Sequence, residues 1–103
     1  MNIFQHQIFL HPFDDRHLIA GHGSLGKEIL EDVPDVDFVL ICCGGGGLLA
    51  GASMALKMLT ERSIRVFGVE PETACGMYKS LKVGYLLIIM RRKIKSSFSL
   101  ERK

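Results

Sequence analysis

The chain has 103 residues, of which 48% are hydrophobic and 23% charged, and its net charge is +2. These values are typical of one globular domain and exclude extended disorder, collagen-like repeats and a second domain. The charge is unevenly distributed, since residues 1–78 carry 5 Lys or Arg against 10 Asp or Glu, and residues 79–103 carry 8 against 1. Because the body is acidic, we expect no broad surface for nucleic acid phosphates.

Cysteine usage indicates a reducing compartment. Cys42, Cys43 and Cys75 are an odd number without the spacing of a zinc site or a disulfide framework. The first residues lack the basic and then apolar pattern of a secretory signal. The longest late apolar run, residues 83–90, is too short to cross a bilayer. We therefore expect a cytoplasmic protein without a membrane segment.

The first third of the chain predicts one strand and one helix. Residues 8–10 are apolar and predict a short strand, which Pro12 ends because proline restricts its own backbone and that of its neighbour. A turn follows. From about Ser24 the apolar residues share one helical face, and this amphipathic helix ends before Pro34.

The middle of the chain predicts a strand–helix–strand unit. Residues 38–43 are continuously apolar, as in a strand buried on both faces. Four glycines follow, residues 48–59 predict a mostly buried helix, and residues 65–70 predict the next strand. Such a unit forms a parallel crossover. The predicted class is α/β, a partial open parallel sheet with helices on its faces.

The glycine run at residues 44–47 favours phosphate binding. A turn without β-carbons at a helix amino end lets backbone N–H groups approach an anion. The alternative is a tight turn that needs positive φ. A P-loop would require a lysine that is absent here, whereas Gly45, Gly47 and Ala50 fit the G-x-G-x-x-A pattern of dinucleotide binding, with Glu70 as the ribose-binding acid.

Four segments resemble, in order and spacing, the serine racemase and threonine dehydratase family: His11-Pro12-Phe13-Asp14-Asp15, Ile19-Ala20-Gly21-x-Gly23-Ser24, Gly44-Gly45-Gly46-Gly47-Leu48-Leu49-Ala50-Gly51 and Gly68-Val69-Glu70-Pro71-Glu72. The resemblance runs from about Phe9 to Gly84. It implies the tryptophan synthase β-like fold and pyridoxal 5'-phosphate as the cofactor. It divides the chain into an extension (1–8), a fragment of the enzyme domain (9–84) and a basic tail (85–103), for which we expect disorder.

The resemblance also implies site residues. It implies that the cofactor phosphate binds in a cradle formed by Gly44, Gly45, Gly46, Gly47 and the N–H of Leu48. In the racemase branch a divalent cation, Mg²⁺ or Ca²⁺, binds an acid, a carbonyl and a second acid. By this resemblance the first acid corresponds to Glu70 and the carbonyl to Ala74. The second acid corresponds to Gly76, which has no carboxylate. The alternative for Glu70 is a solvated strand end.

The resemblance implies further residues that the matching region does not supply. The family's Schiff-base lysine lies upstream, and we expect the four lysines of the region, Lys27, Lys57, Lys79 and Lys82, to be solvated. The prediction is therefore a fragment of a racemase or dehydratase acting on serine or threonine, inactive alone. The alternatives are a non-catalytic module that binds a phosphate ligand or a partner, and a dinucleotide-binding fragment. We expect no nucleic acid or membrane partner, and a homo-oligomer or association with a longer subunit.

Overall fold

The computed structural model describes residues 7–84 and 98–101. The elements, in chain order, are α1 (Arg16–Gly21), α2 (Gly23–Asp32), β1 (Phe38–Cys42), α3 (Gly47–Met58), β2 (Arg65–Pro71), a 3-10 turn (Glu72–Ala74), α4 (Gly76–Val83) and β3 (Phe98–Glu101). The helix predicted from about Ser24, which is α2, and the strand–helix–strand unit of β1, α3 and β2 are confirmed to within one residue. Within these two ranges, no helix has the length and apolar character needed to span a membrane.

The sheet has the order β1-β2-β3. β1 and β2 are parallel, with Phe38 opposite Arg65 and Cys42 opposite Val69, which confirms the α/β class and the parallel pair. β3 pairs with β2 in the antiparallel direction. The sequence predicted no strand there, because a polar, basic segment without alternation carries no strand signal. The strand forms because the open edge of β2 supplies hydrogen-bond partners for its backbone. The rest of the predicted tail and residues 1–6 of the extension lie outside the described residues.

The amino-terminal segment differs from its prediction. Residues 8–10 form no strand, and Ile8 and Phe9 are 87% and 83% exposed. A strand needs a neighbour for its backbone groups, and the described part of the chain places none beside this segment. The region predicted as a turn contains α1 instead, which begins where the Asp15 side chain accepts hydrogen bonds from the first helical N–H groups.

The hydrophobic core lies between α3 and one face of the sheet. Ala52 and Leu56 of α3 are fully buried against Ile41 and Val66 of the two parallel strands. The opposite face is open, since Phe38 and Leu40 are 55% and 51% exposed. The prediction that β1 is buried on both faces is therefore wrong for the described residues, because the helices that build this core, α2 and α3, lie on one side of the sheet.

Helix α2 approaches α3 closely at Gly26. A β-carbon at Gly26 would lie 2.6 Å from the Ala52 carbonyl oxygen and 2.9 Å from the Ala55 β-carbon. Neither neighbour is the flexible end of a long side chain. The two helices can therefore keep this distance only with glycine at position 26.

Replacing Gly26 with Ala should lower the free energy of unfolding by about 1–3 kcal/mol, because the added methyl group forces the two helices apart. Urea unfolding of the full chain, followed by circular dichroism, measures this loss. Gly21→Ala is the matched control, since a β-carbon there meets nothing within 4 Å. Equal losses in the two variants would contradict the close packing.

Candidate functional site

The glycine loop joins the carboxyl end of β1 to the amino end of α3. The Cys43 N–H donates to the Val69 carbonyl oxygen at 2.8 Å, so the pairing with β2 continues to the edge of the loop. Gly46, the residue before α3, has φ +97° and ψ −8°, the left-handed conformation that glycine adopts without steric cost. The chain thus turns from strand into helix within four residues.

The amino end of α3 has no side-chain cap. Gly46 has no side chain, and no acidic residue lies in the first helical turn. The first N–H groups of an α-helix lack acceptors within the helix and lie at the positive end of its dipole. Gly44 and Gly45 beside them are exposed, and Leu48 follows in the first turn. The predicted cradle residues therefore lie together at a helix end that suits an anion.

Neighbouring residues restrict three of the four glycines. A β-carbon at Gly45 would fall on the Phe13 ring, and one at Gly47 would lie 2.9 Å from the Phe13 carbonyl oxygen. At Gly46 the positive φ requires glycine, and a β-carbon would also lie 3.0 Å from the terminal methyl group of Met77. Gly44 has nothing within 4 Å of its β-carbon position. The open side of the loop is therefore at Gly44.

Phe13 is a site neighbour to which sequence reasoning gave no role. It belongs to a turn in which His11 Nδ1 accepts a hydrogen bond from the Asp14 N–H at 3.0 Å. At the end of this turn the Asp15 carboxylate caps α1. The His-Pro and Asp residues of this segment signal a turn and a helix start in the sequence, but no local signal shows that Phe13 folds against the glycine loop.

Glu70 lies at the carboxyl end of β2 and is only 5% exposed. Its carboxylate binds the amino end of α4, with Oε1 accepting from the Met77 N–H at 3.0 Å and Oε2 from the Tyr78 N–H at 3.0 Å. A carboxylate in this position also interacts favourably with the helix dipole. The alternative given for Glu70, a solvated strand end, is therefore wrong. A ribose-binding role would compete with these two hydrogen bonds.

The other residues named for metal binding lie near Glu70 along the chain. Ala74 is in the 3-10 turn, and Gly76 is the first residue of α4. Among the residues that the structure describes, no group of three or more His, Cys, Asp and Glu side chains could hold a metal ion. The three cysteines are free thiols.

Comparison with known proteins places this geometry in context. Residues 4–92 match the family described as "Pyridoxal-phosphate dependent enzyme". The chain is 47% identical over 77 residues to the L-threonine ammonia-lyase of Thermotoga maritima, which covers 75% of this chain and 19% of that protein. It is also 47% identical over 78 residues to the catabolic L-threonine dehydratase of Escherichia coli K12, which covers 76% of this chain and 23% of that protein.

Solved structures have the same local fold. Maize serine racemase matches with a TM-score of 0.72 and 33% identity, over 77% of this chain and 24% of that one. The processed threonine deaminase isoform 2 of Solanum lycopersicum matches with a TM-score of 0.70 and 39% identity, over 75% and 21%. The chain thus spans about a fifth to a quarter of the length of these relatives.

Replacing Glu70 with Gln should lower the free energy of unfolding by about 1–3 kcal/mol, because the amide NH₂ group would face one of the two N–H donors and leave it unpaired. Urea unfolding measures the loss, and faster hydrogen exchange at the Met77 and Tyr78 amides would locate it at the start of α4. Glu72→Gln, at an exposed position of the adjacent turn, is the control and should change the stability by less than about 0.5 kcal/mol. Similar losses in both variants would refute the capping role.

Proposed function

The chain belongs to the family of pyridoxal-phosphate-dependent enzymes, and we propose that its glycine loop binds the phosphate group of pyridoxal 5'-phosphate. The N–H groups of residues 44–48 are the donors in this proposal. The observation that carries it is the amino end of α3, which has no side-chain cap and lies beside two exposed glycines. A phosphate group fits this end because it supplies the charge and the acceptor oxygens that the protein itself does not provide there.

In this proposal the cofactor and the protein have different roles. Bound pyridoxal phosphate supplies an electron sink for negative charge at the α-carbon of an amino acid. The glycine loop binds and orients one end of the cofactor through backbone donors, whose hydrogen bonds do not depend on the protonation of a side chain. The glycines permit close approach because no β-carbon stands between the backbone and the phosphate.

We propose serine or threonine as the substrate class. The support is the similarity to a threonine ammonia-lyase and to a serine racemase. Both reactions remove the α-proton; a racemase then returns a proton to the other face, and a dehydratase loses the β-hydroxyl group and releases ammonia. We assign no residue of this chain to the choice between the two.

The lysine that binds the cofactor covalently is, in this proposal, none of the four lysines in the matching region, so that the chain alone is inactive. Lys27 pairs with Glu31 at 3.3 Å on the exposed side of α2. Lys57 is exposed near the carboxyl end of α3, about 16 Å along the helix from the glycine loop. Lys79 and Lys82 are exposed on α4, where Lys82 Nζ lies 4.4 Å from the centre of the Tyr78 ring.

A structural role for Glu70 replaces the metal role in this proposal. Its two carboxylate oxygens already accept hydrogen bonds from α4. Mg²⁺ and Ca²⁺ require several oxygen ligands, and Gly76 supplies no carboxylate where the resemblance requires one. We therefore assign Glu70 to the support of α4 and propose no cation at this position.

The proposed environment is the cytoplasm, with small amino acids as substrates and neither nucleic acid nor membrane as a partner. Three free thiols support a reducing compartment. The exposed apolar residues Phe38 and Leu40 on the open face of β1 support contact with further polypeptide, either a second copy of the chain or a longer subunit.

Replacing Gly44 with Asp should weaken the binding of pyridoxine 5'-phosphate about tenfold, because the carboxylate repels the phosphate at the open side of the loop. This ligand has no aldehyde, so lysines cannot bind it covalently. Isothermal titration calorimetry measures its affinity, with pyridoxine as the ligand that lacks the phosphate.

Gly44→Asn is the matched control, since it adds a side chain of the same shape without the charge and should bind within about twofold of the unchanged chain. Equal affinity of the unchanged chain for pyridoxine and its phosphate would refute the phosphate cradle. Equal losses in the Asp and Asn variants would show that bulk, and not charge, matters at this position.

The full chain incubated with pyridoxal phosphate and reduced with borohydride should carry the label on several lysines, because the four lysines of the matching region are all exposed and none is favoured over the others. Peptide mass spectrometry locates the label. L-serine and L-threonine should give neither ammonia nor the D-enantiomer under these conditions. Stoichiometric labelling of one of the four lysines of the matching region alone would refute the proposal that the covalent lysine lies outside this region.

A further inference from the structure

His11 is connected to the glycine loop through a short series of contacts. Its Nδ1 accepts hydrogen bonds from the N–H groups of Asp14 at 3.0 Å and Phe13 at 3.4 Å. Because Nδ1 is the acceptor, the neutral ring carries its proton on Nε2. These bonds close the turn after Pro12, where the backbone would otherwise leave two donors to solvent.

The same histidine also contacts the Phe13 side chain. The two ring centres lie 4.4 Å apart and the rings are nearly perpendicular, at 89°. This edge-to-face geometry is favourable for aromatic pairs. His11 therefore holds both the backbone and the ring of Phe13, although Phe13 itself is 46% exposed.

Phe13 in turn lies directly against the loop. Its ring occupies the place of a β-carbon at Gly45, and its carbonyl oxygen lies 2.9 Å from the position that a β-carbon at Gly47 would take. These are two of the residues whose N–H groups form the proposed cradle. A displacement of Phe13 would thus remove the packing that restricts the movement of the loop backbone at Gly45 and Gly47.

From these contacts we propose that His11 is a positioning residue of the glycine loop, which acts through the hydrogen bonds that Nδ1 accepts and so holds Phe13 against Gly45 and Gly47. The inference rests on the proposed function, because it assigns an effect on phosphate binding to a residue that lies outside the cradle. Ordering a loop before the ligand arrives reduces the entropy lost on binding, so the positioning role predicts an effect on affinity.

The variant series separates the acceptor at Nδ1 from the mere presence of a side chain. His11→Ala removes the acceptor and the ring. His11→Asn retains an acceptor, since the Asn Oδ1 is the same number of bonds from the backbone as the histidine Nδ1, and Asn commonly accepts hydrogen bonds from the N–H groups that follow it. His17→Ala is the matched control, because His17 is exposed on α1 and only its backbone N–H is hydrogen-bonded to Asp15.

Two measurements on the full chain test the proposal. ¹⁵N relaxation by NMR reports the order parameters of the loop amides at residues 44–48 without any ligand, and calorimetry with pyridoxine 5'-phosphate reports the affinity. We expect His11→Ala to lower the order parameters of these amides and to weaken binding about five- to tenfold. His11→Asn should restore both to within about twofold of the unchanged chain, and His17→Ala should alter neither.

The outcomes distinguish this inference from the function on which it rests. Unchanged order parameters and affinity in His11→Ala, or losses in His11→Ala that His11→Asn fails to restore, would overturn the positioning role. Absence of phosphate-dependent binding in the unchanged chain would overturn the proposed function and the effect on affinity. The order parameters would then decide separately whether His11 orders the loop.

Discussion

The parallel pairing of β1 with β2 determines where the functional groups of this chain lie. Because parallel strands end at the same edge of a sheet, the glycine loop after β1 and Glu70 near the end of β2 are neighbours in space, although they are more than twenty residues apart in sequence. The bond from the Cys43 N–H to the Val69 carbonyl oxygen extends this pairing to the loop. α3 then covers one face of the two strands and directs its amino end to the same edge.

The amino ends of the described helices differ in the side chains that contact them. At α1 and α4 a carboxylate of the chain itself, Asp15 and Glu70 respectively, accepts hydrogen bonds from N–H groups of the first turn. α2 and α3 have no side-chain cap, but α2 follows α1 after the single residue His22, whereas α3 follows the run of glycines. The positive end of the helix dipole, together with the exposed Gly44 and Gly45 beside it, leaves α3 suited to an external anion.

The packing of Phe13 restricts the glycine loop independently of the proposed phosphate binding. Gly45 and Gly47 make room for Phe13, and Gly46 provides the left-handed turn, whereas Gly44 borders open space. At positions 45 and 47 the packing of Phe13 excludes a β-carbon whether or not a phosphate is bound. Phosphate binding is therefore not the sole reason for glycine at these two positions. The site therefore includes the His11–Phe13 turn, which is remote from the loop in sequence.

The sequence by itself determined the local elements whose signals are local. The apolar run before the glycines, the helical composition after them and the strand pattern of residues 65–70 predicted β1, α3 and β2, and four segments in order and spacing indicated the family. Contacts between distant segments were decided only by the tertiary structure: the capping of α4 by Glu70, the packing of Phe13 on the loop, the pairing of β3 and the open face of β1. The physical reason is that hydrophobic period and turn chemistry act over a few residues, whereas burial and hydrogen-bond partners depend on which elements meet in space.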